Sequence, residues 1–266
     1  MSIAMRMKPL VIALMTFSTV PAATAAVVDF MPSTGNSSLF FFAYDTAGNS
    51  YLKGLTIRMD DLVANPSLSQ SFTLAGLFTQ FSTSTTDPVW GVAAADTLSS
   101  GSFKEFRILT TSATSFTSAS FPTTNSGTKN AAGTGAAGYL NSADDGARVP
   151  GVAIQTTLTS DPAYAGQSGW GSTFGAQLGT SSTVAMVTAA AGSTDNLAAM
   201  WLLDTGLSTS GIAKPTKTLL GQFKLTVTAA SSTLTLNNPT PIPVPAAVWM
   251  LGSALVALTG VARRRT

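Results

Sequence analysis

Apolar and polar side chains alternate without a break in Phe223-Lys224-Leu225-Thr226-Val227-Thr228. Successive residues of a strand point to opposite faces, so Phe223, Leu225 and Val227 fall on one side and Lys224, Thr226 and Thr228 on the other. A segment of this kind suits a sheet with one covered and one wet face, the habit of antiparallel rather than doubly wound parallel sheets. Thr233-Leu234-Thr235-Leu236 repeats the pattern after a short break and reads as its hairpin partner.

A second hairpin is written into Leu39-Phe40-Phe41-Phe42-Ala43-Tyr44 and Tyr51 to Arg58. Between them, Asp45-Thr46-Ala47-Gly48-Asn49-Ser50 has the Asp, Gly and Asn of a tight turn. Further strands are expected over Ser71 to Phe81, Phe103 to Leu109, Gly151 to Leu158, Thr183 to Thr188 and Ala198 to Leu203, each bounded by Gly, Asn, Asp or Pro. Met59 to Ala64 is the best short helix. The pattern predicts an all-β chain, a single-domain antiparallel β-sandwich over residues 26–239. A Ser/Thr/Gly-rich loop is expected around 110–147, where 11 of the 18 residues from Thr110 to Gly127 are Ser or Thr.

The two ends of the chain read differently. Arg6 and Lys8 precede an apolar run from Leu10 to Val20, and Ala23-Thr24-Ala25 offers a small-x-small cleavage site before Ala26, so residues 1–25 read as a signal peptide. Near the other end, Pro241-Ile242-Pro243-Val244-Pro245 is followed by 17 uncharged residues, Ala246 to Ala262, and then by Arg263, Arg264 and Arg265. As a helix that run spans about 26 Å, slightly short of a hydrocarbon core of ~30 Å, so it spans marginally. Proline fits the first helical turn, Trp249 fits the interface, and the arginines act as a membrane stop on the cytoplasmic side. The body is thereby placed outside the cytoplasm.

The segment Val244-Pro245-Ala246-Ala247-Val248-Trp249-Met250-Leu251-Gly252-Ser253-Ala254-Leu255, closing on Gly260-Val261-Ala262-Arg263-Arg264-Arg265, resembles the PEP-CTERM class of C-terminal sorting domains, in its VPLPA-type variant. Valine stands between Pro243 and Pro245 where the commonest form has glutamate. The resemblance covers about a tenth of the chain, residues 240–266, and implies recognition by an exosortase near Pro243, Val244, Pro245 and Ala246. It also implies an exported role in the cell envelope or extracellular matrix of a bacterium, with signal peptidase and exosortase as processing partners.

Composition excludes much else. Without Arg6, Lys8 and Arg263 to Arg265, nine basic residues face twelve acidic ones, so the basic character of the whole chain belongs to its signals. The body has no basic patch for nucleic acid. Cysteine and histidine are absent, which rules out disulfides, thiolate chemistry, Ser-His-Asp triads and His-based zinc sites. Gly133-Thr134-Gly135-Ala136-Ala137-Gly138 has the spacing of a dinucleotide fingerprint but lacks the preceding strand and following helix, so no cofactor is expected. Asp144 and Asp145, and likewise Asp45 and Asn49, offer oxygen ligands. They lack an EF-hand's spacing and closing glutamate, and read as turn residues bonding their own backbone. Asn36-Ser37-Ser38 fits a glycosylation acceptor but reads as a loop.

Neither a catalytic nor a metal residue is assigned. Trp90, Trp170 and Trp201 are the candidates for sugar contact, and extracellular polysaccharide is the candidate partner. Two roles follow: a non-catalytic structural or interaction protein of the envelope or matrix, or an exported carbohydrate-binding or carbohydrate-active protein. An acid pair in a cleft beside these tryptophans would favour the second. A long sheet with a Ser/Thr outer face would favour the first.

Overall fold

A computed structural model describes residues 35–65, 68–84, 86, 88–100, 102–115, 152–166, 183–186, 195–207 and 214–237. The strands are β1 (Ser38–Tyr44), β2 (Ser50–Arg58), β3 (Ser69–Thr73), β4 (Val89–Ser100), β5 (Phe103–Ser112), β6 (Ala153–Thr156), β7 (Val184–Ala185), β8 (Asp195–Asp204), β9 (Thr216–Val227) and β10 (Ser232–Asn237). Two short helices, α1 (Met59–Ala64) and α2 (Leu77–Phe81), flank β3.

All pairings are antiparallel and join the strands into one sheet, in the order β3-β10-β9-β8-β5-β4-β1-β2-β6, with β7 against the start of β4. The antiparallel all-β expectation holds. The two stacked sheets of a sandwich are replaced, among the described residues, by one ten-stranded sheet curled into a half-barrel. The curl brings the two ends of the sheet together: Lys53 Nζ of β2 donates to the Thr73 carbonyl of β3 at 2.7 Å, and the Tyr51 hydroxyl donates to the Ala75 carbonyl at 3.2 Å. Across this seam α2 acts as a plug, its Gln80 side-chain amide donating to the Thr156 carbonyl of β6 at 2.6 Å.

Alternation sorts the core. Leu39, Phe41, Trp90, Val92, Leu109, Met200, Leu202, Phe223, Leu225, Val227, Leu234 and Leu236 fill the inside of the curl with Leu62 of α1 and Leu77 and Phe81 of α2. Phe40, Phe42, Leu52, Ala93, Ala95, Ile108, Trp201 and Leu203 form a second buried layer on the opposite face, met there by Ala163 and Ala165. β9 and β10 bury one face, as their pattern requires. β1 buries both, since its five consecutive apolar residues from Leu39 to Ala43 leave no polar side to turn outward.

The sequence-expected strand Ser71 to Phe81 is two elements. β3 ends at Thr73, and Gly76, at φ 83°, turns the chain into α2. Positive φ is costly for residues with a Cβ and free for glycine, so this residue breaks the strand. The central strand β4 was not expected from its sequence. Its Val-Trp-Gly-Val-Ala-Ala-Ala start has few of the β-branched and aromatic residues that mark strands, yet alanines are what fit between the phenylalanines of β1 and the Ile108 and Leu109 layers of β5.

At the β1–β2 turn, Asp45 is buried and does what the sequence suggests. Its Oδ1 accepts the amides of Ala47 and Asn49, both at 2.9 Å, and its Oδ2 accepts the Asn49 side chain at 2.7 Å. Gly48 sits at φ 106°, and a Cβ there would meet the Thr157 carbonyl oxygen and the Thr159 amide nitrogen, each at 2.9 Å. Both neighbours are backbone and cannot swing away. Gly48→Ala is therefore expected to lower unfolding free energy by about 1–3 kcal/mol, through strain and the displaced loop; urea denaturation with an unchanged m-value would show it.

Candidate functional site

A row of charged side chains lies where β4, β5 and β8 meet. Arg107 of β5 stands opposite Asp96 of β4 and opposite Asp204 of β8, so the three share a row and a face. Arg107 Nε donates to Asp96 Oδ1 at 2.9 Å and its Nη2 to Asp96 Oδ2 at 2.7 Å, a two-pronged ion pair. Its Nη1 reaches Asp60 Oδ1 of α1 at 2.7 Å. The Ser37 amide adds a bond to Asp96 Oδ2 at 3.1 Å. With Asp96 1% and Arg107 8% exposed, this is a nearly buried clamp that ties the entry of β1, helix α1 and strands β4 and β5 together.

Burial pushes the Arg107 guanidinium toward losing its proton, but the hydrogen bonds and charges of Asp96 and then Asp60 outweigh it and hold the group above its ordinary value. Glu105, two residues along β5, is the opposite case. Burial first, then the hydrogen bond and charge of Asp204, raise its carboxyl above the ordinary range; Arg107 opposes and Asp96 adds to the rise. Burial and the neighbouring Asp204 together favour the protonated form of the Glu105 carboxyl.

Trp90 and Trp201 do not line one groove. Trp90 is 0% exposed inside the curl, stacked on Phe41 with ring centroids 6.0 Å apart, and Trp201 is 6% exposed in the layer on the other face. Two side chains on opposite faces of one sheet cannot line one sugar site, and the pair is core rather than contact surface. Trp170 lies outside the described residues. So do the cleavage residues Ala23, Ala25 and Ala26, the sorting motif Pro243, Val244, Pro245 and Ala246, the apolar run 246–262, and Arg263, Arg264 and Arg265. The glycine-rich stretch 133–138 and Asp144 and Asp145 are outside as well. Among the described residues no helix is long and apolar enough to cross a membrane, and no group of three His, Cys, Asp or Glu is arranged to hold a metal ion.

Two hollows are present on the described surface. One, of about 250 Å³, lies between Thr73–Thr79 and the β9–β10 turn at Thr228–Ser232; the other, of about 340 Å³, lies between β2 and α1 against Asp61, Asn65 and Gln70. Neither is lined by a tryptophan or by the Glu105–Asp204 pair. The most regular surface is instead the outer face of β9, β10 and β3. There Lys224 stands beside Thr235 and Ser71, and Thr226 beside Thr233 and Thr73, in rows across three strands. The Ser71 and Thr235 hydroxyls lie 3.4 Å apart.

The charged clamp escaped the sequence reading, although a signal for it exists: Glu105 is the sole glutamate of the chain and Arg107 the sole charge in an otherwise apolar Phe106 to Leu109 run. No protein-family model, no curated protein and no solved structure matches this chain.

Removing one partner of a buried ion pair leaves the other charge uncompensated, which costs about 3–5 kcal/mol. Asp96→Ala should therefore destabilise the fold by that order in denaturant titration. Glu105→Gln should act in the other direction. Because the folded carboxyl binds its proton more tightly than the unfolded one, its contribution is present below the ordinary carboxylate range and is lost as pH rises through the raised folded value. The variant is expected to be the more stable at pH 7, with the difference shrinking toward pH 4; thermal melts across that range would read it.

Proposed function

We propose that this chain is a non-catalytic, exported structural or interaction protein of the bacterial cell envelope or extracellular matrix, sorted by its C-terminal tail. Translocation is followed by cleavage before Ala26. The body is then held at the membrane by residues 246–262 with the three arginines inside, and an exosortase acts near Pro243 to Pro245. The observation that carries the sorting part is the order of parts in the tail: proline motif, uncharged helix-length run, basic cluster, each where the next requires it.

The body supports an interaction role over a catalytic one. Its polar investment is a repeating Ser/Thr surface across β9, β10 and β3. Among the described residues, Asp45 serves a turn and Asp60 and Asp96 serve the clamp. Rows of hydroxyls suit hydrogen bonding to the hydroxyls of extracellular polysaccharide, the partner class favoured by the same location.

Intact mass of the exported protein, compared in cells with and without a functional exosortase, tests this reading at both termini. Loss of residues beyond Pro243 to Pro245 that depends on the enzyme is the expected result. A full-length C-terminus in both strains would withdraw sorting and leave a membrane-anchored β-domain.

A further inference from the structure

Ser232 breaks the inner stripe of β10. Leu234 and Leu236, two and four residues on, point into the curl and are fully buried, and alternation puts Ser232 on the same face at the mouth of the curl. Ser232 is 4% exposed, and its hydroxyl has no hydrogen-bond partner among the described residues. A buried hydroxyl is costly when nothing bonds it, so its surroundings matter. This one opens on the hollow of about 250 Å³ between α2 and the β9–β10 turn.

The walls of the hollow are pinned. In the turn, the Thr228 amide donates to the Ser231 carbonyl at 3.0 Å, and the Thr228 hydroxyl donates to the same carbonyl at 2.6 Å while accepting the Ser231 amide at 3.0 Å. Opposite, the Leu74 amide donates to the Ser232 carbonyl at 2.8 Å, and the Ala75 carbonyl accepts the Tyr51 hydroxyl. Phe78 of α2, half-buried against the inner core, is the aromatic residue of the lining. Thr79 and Ser231, both exposed, put hydroxyls at the rim.

The chemistry of this lining selects among ligands. Among the described residues it has no charged side chain, which disfavours phosphate, uronate and metal cations. An aromatic ring and several hydroxyls suit a sugar, whose apolar face packs on the ring while its edge hydroxyls bond the Ser and Thr side chains. The volume is below the ~300–1,000 Å³ of pockets for drug-sized ligands and fits a single sugar ring. Thr73 belongs both to the rim and to the hydroxyl row it shares with Thr233 and Thr226, so the hollow lies at the end of the outer polar face. We infer, resting on the reading of extracellular polysaccharide as the partner, that this hollow holds one neutral sugar ring of that polymer. Phe78 lies against the ring and the Ser232 hydroxyl bonds its edge.

Affinity for defined polymers tests this. Full-length chain, in a detergent without a sugar headgroup, is immobilised and its binding measured by surface plasmon resonance to dextran, mannan and galactan, which are neutral, and to alginate and polygalacturonate, which are acidic. Ser232→Ala removes the inner hydroxyl, and Thr79→Ala removes a rim hydroxyl at an exposed position, where folding is not at stake. Thr235→Ala removes one from the outer rows away from the hollow. The expected result is binding to at least one neutral polymer that Ser232→Ala weakens about 3–10-fold at an unchanged thermal melt, as loss of one hydrogen bond does. Thr79→Ala and Phe78→Leu should weaken it as well, and Thr235→Ala should change it less than about twofold. Neutral binding that withstands Ser232→Ala and Thr79→Ala overturns the hollow and leaves the polysaccharide on another surface, which a loss in Thr235→Ala would locate on the outer face. Binding of the acidic polymers alone also overturns it, because the lining offers a carboxylate no cation. Binding of none of the five removes the hollow and the polysaccharide partner together.

Discussion

Five apolar residues in a row, Leu39 to Ala43, give β1 two faces that both need cover, and the fold is arranged around that need. A strand with one wet side needs cover on one face only; one without any must sit under two layers. β1 accordingly lies between β2 and β4, with Phe41 against Trp90 and Tyr51 on the inside and Phe40 and Phe42 in the layer outside. The alanines of β4 then follow from packing, because bulky residues beside three phenylalanines would overfill both layers. Curling brings the far strands β9 and β10 over the inner face, where their single apolar sides complete the core.

Edges are handled by side chains rather than by closure. A hydrogen-bonded barrel would leave no free backbone groups, but β3 and β6 do not pair with each other. Lys53 takes the Thr73 carbonyl and Gln80 the Thr156 carbonyl, while α2 fills the space between. Edge carbonyls bonded by side chains of the same chain are less able to template another strand. In a chain without disulfides, these bonds and the Asp96–Arg107–Asp60 clamp are among the cross-links that join distant parts of the sequence.

The elements whose signal is local were legible in the sequence. β1, β2 and α1 begin and end where apolar runs, the Asp45 turn and the Met59 to Ala64 stretch place them. The alternation of Phe223 to Val227 gave both a strand and its covered face. β4 was illegible because its strand state is imposed by neighbours distant in sequence. Ser71 to Phe81 misled because Leu74, Leu77 and Phe81 look like strand residues until Gly76 is seen to turn the chain. Trp90 and Trp201 show the limit for sites: an aromatic residue in a sequence does not say which face of which strand it occupies. The row of Asp96, Arg107 and Asp204 needed the registers of β4 and β8 on β5, which no local pattern contains.

The exit of the chain from β10 sets how the domain bears load. β10 is held on one side by β9 over Ser232 to Asn237 and on the other by β3 over Thr233 to Asn237. A pull along the strand at Asn237 would stress both ladders in shear, with their hydrogen bonds sharing the force instead of parting one by one. Unzipping would require a pull across the strand. A domain pulled along this strand is therefore mechanically tougher than one peeled from its edge.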